Sequence, residues 1–383
     1  MLEIIQKIVN NFHKPDSRLV VNYFDTCFEK NVLISYIVIP FRQGMSFSHT
    51  NSIESLEIAK IFKELEYNVD IINFDSFEEV DYSKYKVLFG FGDKLVNYFY
   101  FGGSKKAVTI YYGTGMHINY SNCQTLKRAK EVYAKKGVWL LNSCRLVEKS
   151  WAVQTSLVDC LIILGAKSVA DTYRKYFNGK IYSLPLSFYD IVNVKEIFLQ
   201  KNFSNSRNNF LWFGGGGAVH KGLDIVLDVF KKHPELHLYI CGGFNDEKDF
   251  ANVYKTELFE TENIHNYGFI SLKSNKFKRL MGICGFVVFP SCSEGGSASI
   301  VNCMACGVVP VVPDSAGIEL KDFGFRMKSI SSKDVESIVL KVNSISKDEL
   351  RKRSYACAKF TQKNNSILNF SKQLKKILKE VLS

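Results

Sequence analysis

The chain has 383 residues, of which 46% are hydrophobic and 23% charged, so it has the length and composition of a globular protein with two domains. Its net charge of +12 is not gathered in an arginine-rich stripe, and no nucleic-acid-binding motif is present, which argues against a nucleic-acid partner. Neither an apolar run of about 18 residues nor a secretory signal is found, so we expect a cytoplasmic protein.

The first half of the chain alternates apolar runs with helix-like segments. Such an alternation predicts a parallel, doubly wound sheet of the α/β class. Residues 1–12 and 17–24 form a predicted amino-terminal extension that opens with a helix. The other predicted elements are a strand over 32–40, a helix over 52–65, and strands over 69–74, 87–89, 107–112 and 157–164.

Two loops in this half follow predicted strands and carry polar residues. The first contains Gly44 and His49, and the second ends at His117. Ligands of open α/β sheets bind beyond the carboxyl ends of the strands, so both loops are predicted to face a ligand cleft. A solvated loop histidine is the alternative for His117. Asn122 and Arg128 belong to a predicted helix face that is either solvated or directed at the same cleft.

The ten cysteines are scattered through predicted strands and helices. This distribution is typical of reduced, buried thiols and not of a disulfide framework. Cys303 and Cys306 form a lone Cys-x2-Cys pair inside a predicted helix, without the second pair that a structural zinc site needs. We therefore predict no metal site.

A run of four glycines, 214–217, follows the predicted strand over 210–213 and precedes a helix that continues to Phe230. Glycines let the backbone approach a phosphate closely, because no Cβ intervenes and a positive φ costs little. Lys221, at the opening of the helix, is placed to supply a positive charge to a diphosphate. Taken alone, the glycine run is equally well explained as a flexible turn.

The stretch 290–314 is the most informative part of the chain. A buried strand over 286–289 leads into a Ser/Gly loop over 291–296, a helix that Gly307 ends, and a second buried strand over 308–312. This order places Glu294 and the free amides of the helix start at the carboxyl edge of a parallel sheet, where ligands bind. An ordinary βαβ unit with a surface glutamate is the alternative.

This stretch resembles the most recognisable segment of glycosyltransferase family 4, retaining enzymes described as glycosyl transferases group 1. The family has a second acid eight positions after the first, whereas this chain has Asn302 there, an uncharged amide that still hydrogen-bonds a ribose hydroxyl. The matching residues are Ser293, Glu294, Gly295, Met304, Ala305, Gly307, Val309, Pro310 and Val311.

The glycine run resembles a second segment of the same family, the pattern Gly-Arg-x5-Lys-Gly. Lys221 and Gly222 are in register with this pattern, and Gly215 stands where the family has arginine. The resemblance implies a GT-B fold, in which two Rossmann-like domains face a central cleft. It further implies an acceptor-binding domain over 1–202, a nucleotide-sugar-binding domain over 203–363 with a linker at 203–209, and a last helix over 364–383 that packs back on the first domain.

By the same resemblance, Glu294, His117 and Lys221 are the predicted catalytic residues, and Gly44 and His49 bind the acceptor. No metal or cofactor is expected, because the nucleoside diphosphate sugar is the substrate. The predicted donor-binding residues are Gly214, Gly215, Gly216, Lys221, Gly242, Phe269, Gly295, Gly296, Ser297 and Asn302.

The implied reaction is retaining transfer of a hexosyl group from a nucleotide sugar to a glycan or lipid-linked acceptor, in bacterial surface polysaccharide synthesis. The basic amphipathic segment 364–383 either packs on the protein or lies on the inner face of the membrane. Two alternatives stay open. One is a degenerate GT-B protein that only binds sugar nucleotide or a partner glycosyltransferase. The other is a nicotinamide-dependent oxidoreductase, disfavoured because no Gly-x-Gly-x-x-Gly is followed by an acid about 20 residues later.

Overall fold

The computed structural model describes residues 19–102 and 107–383, which form two parallel β-sheets flanked by helices. The helix predicted over 1–12 lies outside the described residues. The first sheet consists of β1 (Lys30–Tyr36), β2 (Tyr67–Asn73), β3 (Val87–Gly90), β4 (Val108–Gly113), β5 (Cys160–Leu164) and β6 (Lys180–Leu184). Its strand order is β2-β1-β3-β4-β5-β6, and every neighbouring pair is parallel.

The second sheet has six strands in the order β12-β11-β10-β7-β8-β9, again all parallel. The predicted α/β class with two doubly wound units is therefore confirmed. The strands are β7 (Asn209–Phe213), β8 (His237–Cys241), β9 (Ile264–Gly268), β10 (Phe286–Val288), β11 (Val309–Val312) and β12 (Phe325–Arg326).

Helices follow most of the strands. Those between β1 and β7 are α1 (Ile39–Gln43), α2 (Asn51–Glu64), α3 (Asp93–Phe101), α4 (Ile118–Lys136), α5 (Gln154–Leu157), α6 (Lys167–Asp171), α7 (Val194–Gln200) and α8 (Phe203–Ser206). Those that follow β7 are α9 (Leu223–Phe230), α10 (Lys248–Val253), α11 (Lys255–Phe259), α12 (Asn275–Ile283), α13 (Ala298–Ala305), α14 (Ser332–Asn343), α15 (Lys347–Asn364) and α16 (Ile367–Val381). No helix within 19–102 and 107–383 has both the length and the apolar character needed to span a bilayer.

The central strands have continuous apolar sequences because helices cover both faces of each sheet. Every residue of β5, with the sequence CLIIL, is buried, as expected for a parallel sheet between two helical layers. Most observed boundaries lie within two residues of the predicted ones, and two differ by more or in type. The strand predicted over 32–40 ends at Tyr36, since Pro40 lies in the first turn of α1. The run predicted as a strand from 157 begins with the end of α5.

The connection between the domains lies earlier than the predicted linker at 203–209. After β6 the chain crosses over 185–193, and α7 already packs against α12 of the second domain. Residues 203–209 are not a linker, because they contain α8 and the start of β7. The Asn202 side chain caps α8 by accepting hydrogen bonds from the amides of Ser204 and Asn205, so a polar stretch that looked flexible is locally satisfied.

The last helix, α16, packs on the first domain. Phe370, Leu374 and Leu378 are fully buried in the core that includes the strands of the first sheet. Lys375 and Glu64 form an ion pair at 2.9 Å that joins α16 to α2. The apolar face of this basic amphipathic helix is thus covered by protein.

We predict that Leu374→Ala lowers the free energy of unfolding by about 2–5 kcal/mol, because it leaves a cavity in a packed core. The measurement is chemical denaturation followed by circular dichroism. The matched control is Leu368→Ala in the same helix, whose residue is 79% exposed and whose loss should change stability by less than about 0.5 kcal/mol. Equal effects of the two variants would contradict the packing of α16.

Candidate active site

The carboxyl ends of both sheets face one cleft between the domains, which holds a cavity of about 680 Å³. Small-molecule sites are typically clefts of roughly 300–1,000 Å³. Because the strands are parallel, residues far apart in the chain converge at this edge. The predicted site residues that line the cavity are His49, Gly214, Gly215, Gly216, Lys221, Gly242, Phe269, Glu294, Gly295, Gly296, Ser297 and Asn302.

Glu294 is buried in the wall of the cavity among positive charges. Its Oε1 forms a buried ion pair with Lys221 Nζ and accepts a hydrogen bond from Ser291 Oγ at 3.1 Å. Its Oε2 lies 3.6 Å from Arg145 Nη1. Burial by itself raises the pKa of the Glu294 carboxyl, but Lys221 and Arg145 outweigh burial and lower the pKa to about 2. The carboxylate is therefore ionised at neutral pH and can only accept hydrogen bonds.

Lys221 reaches Glu294 because the residue after it, Gly222, lies directly against Pro290, just beyond β10. Gly222 has a φ of +68°, and a Cβ on it would lie 2.4 Å from the Pro290 carbonyl oxygen. Only glycine tolerates both the close approach and the left-handed conformation. Burial lowers the pKa of the Lys221 ammonium, whereas Glu294 opposes this shift. The pair thus carries two charges that largely cancel within the protein.

His220, next to Lys221, is a buried residue of the site that the sequence did not single out. Its Nδ1 accepts a hydrogen bond from Thr125 Oγ1 at 2.5 Å, and its Nε2 donates to the Ser293 carbonyl at 2.6 Å. Burial lowers the pKa of His220 to about 4, so the ring is neutral at pH 7. It connects α4 of the first domain to the loop that carries Glu294, which is a positioning role.

The glycine run makes two contacts within the protein that the sequence did not predict. A Cβ on Gly242 would lie 1.9 Å from the Gly214 carbonyl oxygen, so the ends of β7 and β8 touch at the cavity. The amides of Gly217 and Ala218, however, donate to the two carboxylate oxygens of Glu247 at 2.5 and 3.0 Å. These two amides are therefore occupied by protein and not open to a phosphate.

The start of α13 offers backbone donors to the cavity instead. The amides of Gly295, Gly296 and Ser297 donate to no acceptor in the part of the chain that the structure describes. Free amides at the amino end of a helix favour an anion, because they add to the positive end of the helix dipole. Gly295 is also required sterically, since a Cβ on it would lie 2.1 Å from the Thr114 carbonyl oxygen of the first domain.

Asn302, predicted to hold the ribose, lines the cavity but is already engaged. Its Oδ1 accepts a hydrogen bond from the Tyr189 amide at 3.0 Å, and its Nδ2 donates to the Ala298 carbonyl at 2.7 Å. Tyr189 belongs to the segment that connects the domains. The Asn302 amide therefore also anchors the connection to α13, which leaves one lone pair of Oδ1 and one N–H of Nδ2 for a ligand.

His117 does not lie where the sequence predicted it, because it is buried and does not line the cavity. It caps α4 by accepting a hydrogen bond from the Asn119 amide through Nδ1 at 3.2 Å, and its Nε2 lies 3.0 Å from Thr155 Oγ1. Its ring stacks on Tyr176 with 3.8 Å between ring centroids. Burial lowers its pKa to about 4. His117 does not reach the cavity in this structure and its catalytic role stays a prediction, although the loop before it does reach the second domain through Thr114.

Of the two residues predicted to bind the acceptor substrate, only His49 lines the cavity. His49 lies at the cavity wall, where desolvation and the charges of Arg145 and Lys221 lower its pKa, so it is neutral at pH 7. Gly44 is exposed and does not line the cavity; with a φ of +82° it ends α1. It therefore shapes the loop, and its contact with an acceptor stays a prediction.

Arg145 is a charged cavity residue that sequence reasoning missed. It follows the 3₁₀ turn Leu141–Ser143 of the first domain, and its aliphatic stem packs on Gly217, where a Cβ would lie 2.7 Å from Arg145 Cγ. No local pattern points to it, because its partners come from the other domain. Glu54, also missed, is a buried cavity residue that accepts hydrogen bonds from the amide and hydroxyl of Ser187.

The helix face with Asn122 and Arg128 is not simply solvated. Asn122 pairs with Val147 in both directions, donating to its carbonyl at 2.8 Å and accepting from its amide at 3.0 Å. Arg128 forms a buried ion pair with Asp224 of the second domain at 2.5 Å. Both residues are structural, and Arg128 joins the domains.

The cysteines agree with the sequence prediction within the described residues, since all ten are free thiols there and most are buried. Across 19–102 and 107–383, no three His, Cys, Asp or Glu side chains are arranged to hold a metal ion.

Comparisons with known proteins agree with this architecture. Residues 194–364 match the Glycosyl transferases group 1 family, whereas no curated protein matches the chain in sequence. Among solved structures, the fold is similar to a sucrose-phosphate synthase from Thermosynechococcus elongatus, with a TM-score of 0.66 and 10% identity over 92% of this chain and 99% of that one. WaaG, a glycosyltransferase involved in lipopolysaccharide biosynthesis, has a TM-score of 0.55 and 13% identity over 90% and 99%.

TarM is similar over a shorter part of its length. The TM-score is 0.53 at 14% identity, and the match covers 78% of this chain but only 55% of TarM. At such identities the structures show the fold alone. The predicted GT-B fold and the resemblance to group 1 are confirmed, while membership of family 4 stays a prediction. The chain therefore has a GT-B fold, and its residues 194–364 are similar to the Glycosyl transferases group 1 family.

Proposed function

We propose that the protein is a retaining glycosyltransferase that moves a hexosyl group from a nucleotide sugar to a glycan or lipid-linked acceptor. The observation that carries this proposal is the buried Lys221–Glu294 pair in the cleft, beside the free amides of Gly295 and Gly296. These groups match the two polar parts of a nucleotide sugar. The ammonium and the amides can bind its diphosphate, and the carboxylate can accept hydrogen bonds from its sugar hydroxyls.

The proposed reaction assigns each group a step. A new bond forms between the acceptor hydroxyl oxygen and the anomeric carbon of the donor, and the bond from that carbon to the diphosphate oxygen breaks. The proton of the acceptor hydroxyl passes to the leaving diphosphate oxygen. Negative charge then grows on the leaving diphosphate, which Lys221 and the amides at the start of α13 stabilise. Glu294, ionised at neutral pH, accepts hydrogen bonds from sugar hydroxyls and orients the donor. No separate cofactor or metal has a role in this proposal.

Relatives support the choice of substrates. A complex of TarM from S. aureus contains UDP and α-GlcNAc-glycerol, and WaaG acts in lipopolysaccharide biosynthesis. By analogy we assign this protein to bacterial surface polysaccharide synthesis, in the cytoplasm at the inner face of the membrane. The net charge of +12 suits such a surface and an anionic donor.

The direct test is a thermal-shift screen against UDP-, GDP-, ADP- and TDP-sugars, followed by turnover of the donor that binds. A cognate donor should raise the melting temperature, because it binds only the folded state. Release of nucleoside diphosphate should then occur, and the product should keep the anomeric configuration of the donor by NMR. Binding without any turnover would favour the degenerate alternative, and inversion would contradict the retaining assignment.

Lys221→Ala should weaken nucleoside diphosphate binding about 10- to 100-fold, because it removes a charge-assisted contact with phosphate. Calorimetry measures the affinity and circular dichroism confirms folding. Lys231→Ala is the matched control, since Lys231 pairs with Glu257 outside the cavity at 3.1 Å. Because Lys221→Ala also leaves Glu294 buried without its partner, the double variant Lys221→Ala with Glu294→Gln separates stability from binding. Unchanged affinity in both variants would exclude the phosphate contact.

Substitutions of Asn302 test whether its amide also holds the donor. Asn302→Glu should keep the contact with the Tyr189 amide and bind donor as well as or better than the wild type, since a carboxylate is the stronger acceptor. Asn302→Leu leaves the Tyr189 amide unpaired and should lower the free energy of unfolding by about 1–3 kcal/mol. It should also bind donor more weakly than the wild type. If Asn302→Leu loses stability but binds donor normally, the residue is structural only.

A further inference from the structure

The cavity needs more positive charge than the second domain provides. Its charged residues from that domain are Lys221, Glu294 and Glu247, which together carry one positive and two negative charges. The ion pair with Glu294 already engages Lys221. A diphosphate that entered such a site would meet a net negative wall, which opposes binding of an anion.

Arg145 of the first domain supplies the missing cation. It is the one other lysine or arginine that lines the cavity among the described residues. The two histidines beside the cavity do not replace it, because the pKa values of His49 and His220 are both lowered. Together with Arg145, the three charged side chains of the second domain carry no net charge, and burial raises the pKa of the remaining cavity acid, Glu54, which favours its neutral form. The wall therefore opposes an anion less than the second domain alone would.

The side chain of Arg145 is placed over the glycine run by contacts on both sides of its loop. Before it, the Ser143 carbonyl accepts hydrogen bonds from the amides of Val219 and His220 at 3.1 and 3.2 Å. After it, Val147 is held by its two hydrogen bonds with Asn122. The stem of Arg145 then lies against Gly217. These contacts fix the direction of a long side chain before any ligand binds.

The guanidinium itself retains donors for a ligand. Its ionic contact within 19–102 and 107–383 is with Glu294 Oε2 at 3.6 Å, longer than a hydrogen bond, and the side chain is 55% exposed. A guanidinium has five N–H donors in a planar fork that matches phosphate oxygens. The Arg145 guanidinium can therefore contact Glu294 and a diphosphate at the same time.

We propose that Arg145 binds the donor diphosphate from the first domain and takes the place of an arginine that the glycine run lacks at Gly215. The inference rests on the proposed function, because it requires a nucleoside diphosphate in the cleft. It also means that the diphosphate site is complete only when the two domains lie together.

The structure allows a rescue test. No atom lies within 4 Å of a Cβ built on Gly215, and its backbone is not left-handed, so Gly215→Arg fits and adds a cation to the glycine run. Arg145→Met removes the charge but keeps the stem on Gly217. Arg174→Met is the matched control, since Arg174 is 57% exposed, pairs with Asp171 in the same domain and does not line the cavity.

Calorimetry with UDP, GDP, ADP and TDP gives the affinity of each variant, with circular dichroism as the folding check. We expect Arg145→Met to bind the preferred diphosphate about 10- to 100-fold more weakly, Arg174→Met to bind as the wild type does, and Gly215→Arg to restore at least about tenfold in the Arg145→Met background. Wild-type affinity in Arg145→Met, or no rescue, would overturn the inference while leaving the proposed function intact. A wild type that binds none of the four diphosphates would instead contradict the proposed function.

Discussion

The buried ion pair between Lys221 and Glu294 is the interaction on which the organisation of the cleft depends. Two charges removed from water cost several kcal/mol each, and only a close, well-bonded pair offsets that cost. The pair forms because Gly222 lets the backbone next to Lys221 contact Pro290 and because Ser291 donates to the carboxylate. The need to pair these two buried charges thus fixes the loop that carries Lys221 against the loop that carries Glu294.

The same pair explains how the site can respond to a ligand. An ionised carboxylate and an ammonium that satisfy each other are stable without a substrate, yet each also matches a different part of a nucleotide sugar. An incoming diphosphate can share the ammonium, while sugar hydroxyls donate to the carboxylate. The Glu247 carboxylate plays a comparable part on the glycine run, where it satisfies the amides of Gly217 and Ala218. These charged groups of the cavity wall are thereby paired, whereas the amides at the start of α13 stay free for a ligand.

The cleft is a product of both domains and not of the second domain alone. Arg128 and Asp224 form a buried ion pair across the interface, and His220 connects Thr125 to the loop of Glu294. Gly295 lies so close to Thr114 that any side chain would force the domains apart. The parallel strands bring these residues to the carboxyl edge of each sheet. The contacts between the domains then determine how the two carboxyl edges face each other.

The sequence by itself determined the elements and the chemistry that depend on local order. Apolar runs and glycine positions predicted both parallel sheets, and the spacing of Lys221 and Glu294 within their motifs placed both at strand ends, because a strand followed by a loop and a helix leaves its loop at the carboxyl edge. Only the tertiary structure decided which further side chains enter the cavity. Arg145 and Glu247 reach it through partners distant in the chain, while His117 is turned inward by a helix cap and a stacked ring. Such contacts depend on how two domains pack, and packing between distant segments leaves no periodic signal in the sequence.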